Sequence, residues 1–244
     1  MGLAPCQSLE LKRVILSTDE NPLYIEFWPV VAEAWSAMGI RPTLALISER
    51  DCVDTTLGDV IRFDPVPGTS TVMQAQVYRL FLPVLFPEEG CIISDIDMVP
   101  ISKEYFVDNA EPCPDSAFLV YRDVAIPEEY REYPMCYVAA KGKVFGSIFR
   151  VAGQDDFAGR LKECKAIHDG FNTDQVIMYD WVNRWPGNVV RLGHLVTDRL
   201  DRADWNWKPE EIEGKIDAHC PRPYSQYKSS IDLIAQEVIK RYRQ

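Results

Sequence analysis

Short apolar runs alternate with longer segments of helical periodicity along most of the chain. Residues 12–17, "KRVILS", read as a buried strand. Tyr24, Phe27, Trp28, Val31 and Trp35 follow at i, i+3, i+4, i+7 and i+11, one apolar helical stripe read as core, and Gly39 suits its stop. Strands are expected at 41–48 and 60–65. Residues 71–86 predict a helix with Met73, Val77, Leu80, Phe81 and Val84 on one face, Arg79 off that face, and Pro83 kinking or ending it. Further strands are expected at 90–100, 117–121, 135–140 and 188–192, with helices near 142–151, 155–167 and 173–185. A last helix carries Ser229-x-x-Asp232 as a capping box, then Ile231, Leu233, Ile234 and Val238. Unbroken strand–helix alternation predicts an α/β fold with a mainly parallel sheet. No repeat, linker or low-complexity segment divides the chain, so a single Rossmann-like domain over residues 1–244 is expected.

In open sheets of this kind, ligands bind beyond the carboxyl ends of the strands. Asp19 stands just past the first strand. "GCIISDIDMVP" (90–100) delivers Asp95 and Asp97 to such an end. Side chains at i and i+2 of an extended strand point to one side, where two carboxylates repel and one tends to stay protonated. A divalent cation such as Mn²⁺ or Mg²⁺, which prefers hard oxygen ligands, removes the conflict. If the strand bends at its end, one Asp can hold the metal while the other reaches a sugar or ribose hydroxyl.

The charge balance narrows the ligand. A net charge of −11 argues against nucleic acid, which needs a basic surface. An anionic ligand is then met only locally, through a metal or a helix N-terminus. No apolar run approaches the roughly 18–20 residues of a membrane span, and the N-terminus lacks a secretory apolar core. The chain begins Met-Gly, but Cys6 stands where a myristoylation signal wants Ser or Thr. Seven cysteines without a CxxC pair fit reduced thiols, and a cytoplasmic location is expected.

Two chemistries use an Asp-x-Asp at a strand end. "DIDMV" matches the motif of haloacid-dehalogenase-type phosphatases, which would make Asp95 a nucleophile and Asp97 a general acid/base. That reading needs a later Lys and an acidic pair, for which "GQDDF" (153–157) is the candidate, and it wants the motif on the first strand. Here a complete strand–helix–strand unit and a further helix precede it. The other chemistry is nucleotide-sugar transfer. No Gly-rich phosphate loop follows the first strand, which argues against a nucleotidylyltransferase.

Several segments taken in order resemble glycosyltransferases of the GT-A fold, most closely the retaining family-8 type, over about residues 12–224. "LSTDENPLY" resembles the family's nucleoside-binding turn, which implies that Thr18, Asp19 and Asn21 contact the nucleoside. "VYRLFLPVLFP" places Arg79 at the family's arginine, and "CIISDIDMVP" matches the metal strand. "FNTDQVIMYDWV" carries the family's Asp-Gln as Asp174 and Gln175, the implied catalytic positions. "DAHCPRPY" places His219 at the last metal ligand and Arg222 near the phosphate-binding Lys. The resemblance implies a metal-dependent transferase of UDP-hexose type that acts on a hydroxyl acceptor, with metal ligands Asp95, Asp97 and His219. Residues 12–100 would form the nucleotide half, and residues 101–244 the donor-sugar and acceptor half. Retention implies a front-face route without a covalent intermediate, whereas an inverting enzyme would need a base, for which Asp174 is the one candidate. The family's Asn-Ala-Gly segment is present only as "CYVAAKG", without its Asn. That departure keeps a third reading open, a nucleotide-sugar-binding module without catalysis. Trp205 and Trp207 are read as closing a hydrophobic edge, and His168 and His194 are given no site role.

Overall fold

A computed structural model describes residues 7–195 and 197–243. Cys6, on which the myristoylation expectation turns, lies outside them. The strands are β1 (Leu11–Asp19), β2 (Arg41–Ile47), β3 (Asp59–Phe63), β4 (Gly90–Ile93), β5 (Met98–Pro100), β6 (Phe118–Val120), β7 (Val138–Lys141), β8 (Val189–Arg191), β9 (Arg199–Asp201) and β10 (Asp217–His219). The helices are α1 (Pro22–Ile25), α2 (Trp28–Ala37), α3 (Thr71–Phe81), α4 (Lys103–Ala110), α5 (Gly142–Phe149), α6 (Phe157–Ile167), α7 (Thr173–Arg184) and α8 (Tyr224–Tyr242). A central sheet runs β3-β2-β1-β4-β7-β6-β8, and a small sheet runs β5-β10-β9. In the central sheet only β7 opposes its neighbours, so the expected mainly parallel α/β arrangement holds.

The period of two along β1 divides the core. Val14 and Leu16 join one cluster with α2, α8 and the small sheet, while Ile15 joins another with α3, α5, α6 and α7. Each fully buried aliphatic side chain contributes about 1.5–3 kcal/mol. Helices therefore cover both faces of the sheet and leave its carboxyl edge as the place where loops meet. No helix among the described residues is long and apolar enough to cross a membrane.

Three local expectations are corrected. The stripe from Tyr24 to Trp35 is two helices, because Pro29 has no N–H for the Ile25 carbonyl and its ring crowds that oxygen. At Pro83 the expectation holds: α3 stops at Phe81 and gives way to a 3-10 turn over Leu82–Leu85. α8 begins at Tyr224, so Ser229 and Asp232 lie inside it; Tyr224 packs edge-on against Phe27, which holds the first turn, and Asp232 accepts from Lys228 Nζ at 2.6 Å instead of capping. The 90–100 strand is broken: β4 ends at Ile93, and β5 belongs to the other sheet. Gly39 closes α2 as expected, at a φ of +79°. β9 went unread because three residues with one buried apolar side chain, Leu200, show no period.

Candidate active site

The carboxyl ends of β1, β4 and β6 surround a cavity of about 350 Å³. Ser17, Thr18 and Asp19 enter it from β1, and Asp95, Ile96 and Asp97 from the bend between β4 and β5. That bend is a turn in which Met98 N–H donates to the Asp95 carbonyl at 3.2 Å. The two carboxylates thus leave the strand and are not held on one face of it. The chain has left the central sheet to pair with β10.

That pairing positions the histidine. β10 runs antiparallel to β5 with His219 opposite Met98, and parallel to β9 with His219 opposite Asp201. The Cys220 N–H donates to the Asp97 carbonyl at 2.9 Å and fixes the register. As a result His219 Nε2 stands 3.9 Å from Asp97 Oδ2, while its Nδ1 stands 3.4 Å from Asp201 Oδ2. A carboxylate behind one ring nitrogen and a carboxylate before the other is the arrangement that orients metal-ligating histidines.

Burial, then the charge of Asp95, pushes the Asp97 carboxyl above its ordinary value, against the pull of His219, Arg202 and Arg222. Burial acts on Asp95 too, but the Arg79 guanidinium outweighs it and holds that carboxyl low. Arg79 is buried in the last turn of α3, where it bridges Asp95 and Asp174. Its place off the apolar stripe suits a side chain that reaches Asp95, and the second partner, Asp174, follows because that side of α3 packs on α7. Asp174 is 1% exposed. Its Oδ2 accepts from Arg79 and its Oδ1 accepts from the Gln175 N–H at 2.9 Å, so both oxygens are engaged. Burial pushes its carboxyl up while Arg79 pulls it down.

The remaining sequence candidates divide. Asp19 Oδ2 accepts from Thr71 Oγ1 at 2.7 Å and its Oδ1 from the Asn21 N–H at 3.0 Å. Thr18 and Gln175 line the cavity, whereas Asn21 caps α1 and lines a neighbouring recess. Arg222 reaches Asp97 with Nε at 3.6 Å, and its guanidinium lies 4.6 Å from the Tyr24 ring centroid. Tyr24, read as core, packs partly buried against it and also lines the cavity. Arg122, Arg199 and Arg202 were not anticipated, and all three line it as well. Phe171, 76% exposed, closes the rim. The one hint for Arg199 and Arg202 was the charge alternation of "DRLDRAD" (198–204), which does not say which charges turn inward. Trp205 and Trp207 pack half-buried against the core, with Trp205 Nε1 donating to Ser230 Oγ at 3.0 Å. His168 and His194 contact Asn172 and Tyr105 and do not line the cavity.

No family model and no curated protein sequence matches this chain. Solved structures do. The glycosyltransferase GlyE of Streptococcus pneumoniae TIGR4 superposes with a TM-score of 0.54 at 10% identity, over 96% of this chain and 63% of GlyE. The galactosyltransferase LgtC, solved with donor and acceptor sugar analogs, gives 0.52 at 13% identity over 95% of this chain and 96% of LgtC. The bifunctional glycosyltransferase WbbM gives 0.55 at 11% identity over 96% of this chain and 52% of WbbM. The chain has the GT-A fold of glycosyltransferases. It spans under two thirds of GlyE and of WbbM, and nearly all of LgtC.

Within a GT-A fold the phosphatase reading loses its footing. Asp95 follows the fourth strand of the chain, not the first. The acidic pair Asp155 and Asp156 lies in a 3-10 turn away from the cavity, where Asp156 accepts from the Ala152 N–H at 2.6 Å.

Two oxygen donors and an imidazole suit Mn²⁺ or Mg²⁺ in kind, and His219 with Asp201 behind it suits a ligand in orientation. Among the described residues no three such side chains already stand at ligand spacing. Arg202 Nη1, 3.1 Å from Asp97 Oδ2, and Arg79 on Asp95 occupy the carboxylates. The donor types suit the ion, and Arg79 and Arg202 are the groups that would give way to it.

Proposed function

We propose that this chain is a metal-dependent glycosyltransferase that moves a hexose from a UDP donor to a hydroxyl of a glycan or other acceptor, with retention of anomeric configuration. The observation that supports it most is the strand register that brings His219 to Asp97 beside Asp95, at the cavity of a GT-A fold. Asp95, Asp97 and His219 would hold the ion, Mn²⁺ or Mg²⁺. When bound, it supplies Lewis-acid stabilisation of the charge that develops on the leaving diphosphate.

The chain's own residues account for the rest. Thr18 and Asp19 take the nucleoside, with Asn21 reaching it from the adjoining recess. Arg222, and Arg202 beside it, meet diphosphate oxygens, for which a guanidinium is well shaped. In this way a chain of net charge −11 holds a polyanion. Asp174 positions Arg79 at the donor side, and Gln175 presents its amide to the sugar. Because both oxygens of Asp174 are engaged, it is a poor general base. That favours the front-face, retaining route, in which the leaving phosphate takes the acceptor's proton. Residues 12–100 then form the nucleotide half, and residues 101–244 the sugar half.

A thermal-shift panel of nucleoside diphosphates and nucleotide sugars, with and without Mn²⁺, tests the reading. UDP at a hundred times its dissociation constant stabilises by about 2.7 kcal/mol, and the shift should require Mn²⁺. Absence of a Mn²⁺-dependent shift with every diphosphate sinks it. Proton NMR of fresh product tests retention separately, and an inverted anomer removes that part alone.

A further inference from the structure

Five arginines line the cavity, and four of them are spoken for. Arg79 pairs with Asp95 and Asp174, Arg199 with Asp217, and Arg202 and Arg222 with Asp97. Arg122 has no carboxylate within 4 Å among the described residues. Only its Nη1 is used, toward the Cys136 carbonyl at 3.3 Å and the Cys136 thiol at 3.5 Å. Its Nε–H is buried without an acceptor, a state that folded interiors rarely tolerate. The unused Nε and Nη2 form the edge of a guanidinium that donates two parallel hydrogen bonds to a carboxylate or phosphate.

The topology says which part of a substrate meets that edge. Arg122 follows β6 directly, and in the sheet β6 lies two strands beyond β4, on the side away from β1. At about 4.8 Å per strand this sets Arg122 roughly 10 Å from the tip of β4, opposite the end where Asp19 stands. Cys136 stands between the two positions, since it lines the cavity with Asp95 while its carbonyl and thiol hold Arg122. Granting the transferase reading above, the nucleoside lies toward β1 and the diphosphate at β4. Arg122 then faces the sugar portion.

We propose that Arg122 recognises an anionic group, a carboxylate or phosphate, carried by the sugar portion of the substrates, so that this enzyme handles an acidic sugar. The charge sits either on the donor sugar, as in a uronic acid, or on the acceptor.

Three binding comparisons test this on the whole chain by calorimetry or thermal shift. The donor arm sets UDP-glucuronic acid against UDP-glucose with Mn²⁺. The acceptor arm sets glucuronate and glucose 6-phosphate against glucose in the presence of UDP and Mn²⁺. A third arm repeats the free sugars without nucleotide. The charged member of one arm should bind about tenfold or more tightly than its neutral counterpart, the size of a charge-assisted hydrogen bond. Arg122→Gln should abolish the preference with UDP affinity unchanged, and Arg122→Lys should keep part of it. Equal binding of charged and neutral sugars by the wild type in every arm overturns the proposal, as does a preference that survives Arg122→Gln. Failure of UDP and its sugars to bind at all sinks the transferase reading instead, and the third arm then decides the role of Arg122 alone.

Discussion

The two ends of the parallel strands each hold a buried arginine among acids, and they use it differently. At the amino end Arg13 donates to Glu89 through Nε at 2.8 Å and Nη2 at 3.2 Å, and to Thr43 Oγ1 through Nη1 at 2.6 Å, pairs with Asp59, and stacks 3.6 Å from the Phe86 centroid. Its acids remain partly in water, with Asp59 29% and Glu89 39% exposed. At the carboxyl end Arg79 faces Asp174, which is sealed from water, and Asp95, which faces a cavity whose Arg122 has donors to spare. A cluster whose donors are all used and whose acids are hydrated is a clamp between strands. A cluster with one sealed carboxylate, a second opening on a cavity, and unused donors beside that space is built for something that is not protein. The likeness of the residues teaches little. The difference in satisfaction teaches most of what the fold says about function.

Removing the arginine at each end should separate the two roles. Arg79→Met leaves the Asp174 charge buried and uncompensated, at a cost of about 3–5 kcal/mol, and should also abolish UDP binding. Pairing it with Asp174→Leu should recover much of the stability, since a well-packed apolar pair replaces a buried ion pair at little cost, but none of the binding. Arg13→Met should cost about 1–3 kcal/mol, because its partners can turn to water, and should leave UDP affinity intact. Urea denaturation and calorimetry read both quantities. Equal loss of UDP binding at the two ends would erase the distinction.

Within the carboxyl end, His219→Ala sharpens which groups belong to the ion and which to the fold. The ring is partly exposed, so the stability of the metal-free protein should change by no more than about 1 kcal/mol. The Mn²⁺-dependent part of the UDP thermal shift should disappear. If that part persists undiminished, the histidine is no ligand, and the register argument has lost its functional point.

Much of this was legible in the sequence because it is local. Helical periodicity and short apolar runs marked the helices around 71–81 and 157–167 and the strands around 11–19 and 41–47. Apolar strands ending in acids pointed to the edge where Asp19 and Asp95 stand. What stayed hidden is long-range. Arg79 and Asp174 are 95 residues apart, and nothing in either segment announces that they pair with each other. Tyr24 fell on an apolar stripe, yet the break at Pro29 turned its ring to the cavity. Arg199 and Arg202 sit in a run where acids and bases alternate, and their direction is decided by a three-residue strand pairing with β10. Arg122 shows the same limit, for a free donor can be recognised only once every neighbour is known.

The smallest effect belongs to Asp201, and it tests how the site is tuned. Its carboxylate lies 3.4 Å from His219 Nδ1; with the proton on Nδ1, the Nε2 lone pair is directed toward Asp97. Asp201→Asn keeps an oxygen that can accept but removes the charge that makes the imidazole a stronger donor. Loss of such a partner typically weakens metal binding 10–100-fold, and with an acceptor retained the lower end, about tenfold, is expected. Because Asp201 is 41% exposed at its side chain, stability should move by no more than about 0.5 kcal/mol. Electron paramagnetic resonance of free Mn²⁺, titrated with protein in the presence of UDP, measures the change directly. If the Asn variant binds Mn²⁺ as tightly as the parent, the alignment of Asp201, His219 and Asp97 is a strand-pairing coincidence. The imidazole would then owe its orientation to the small sheet alone.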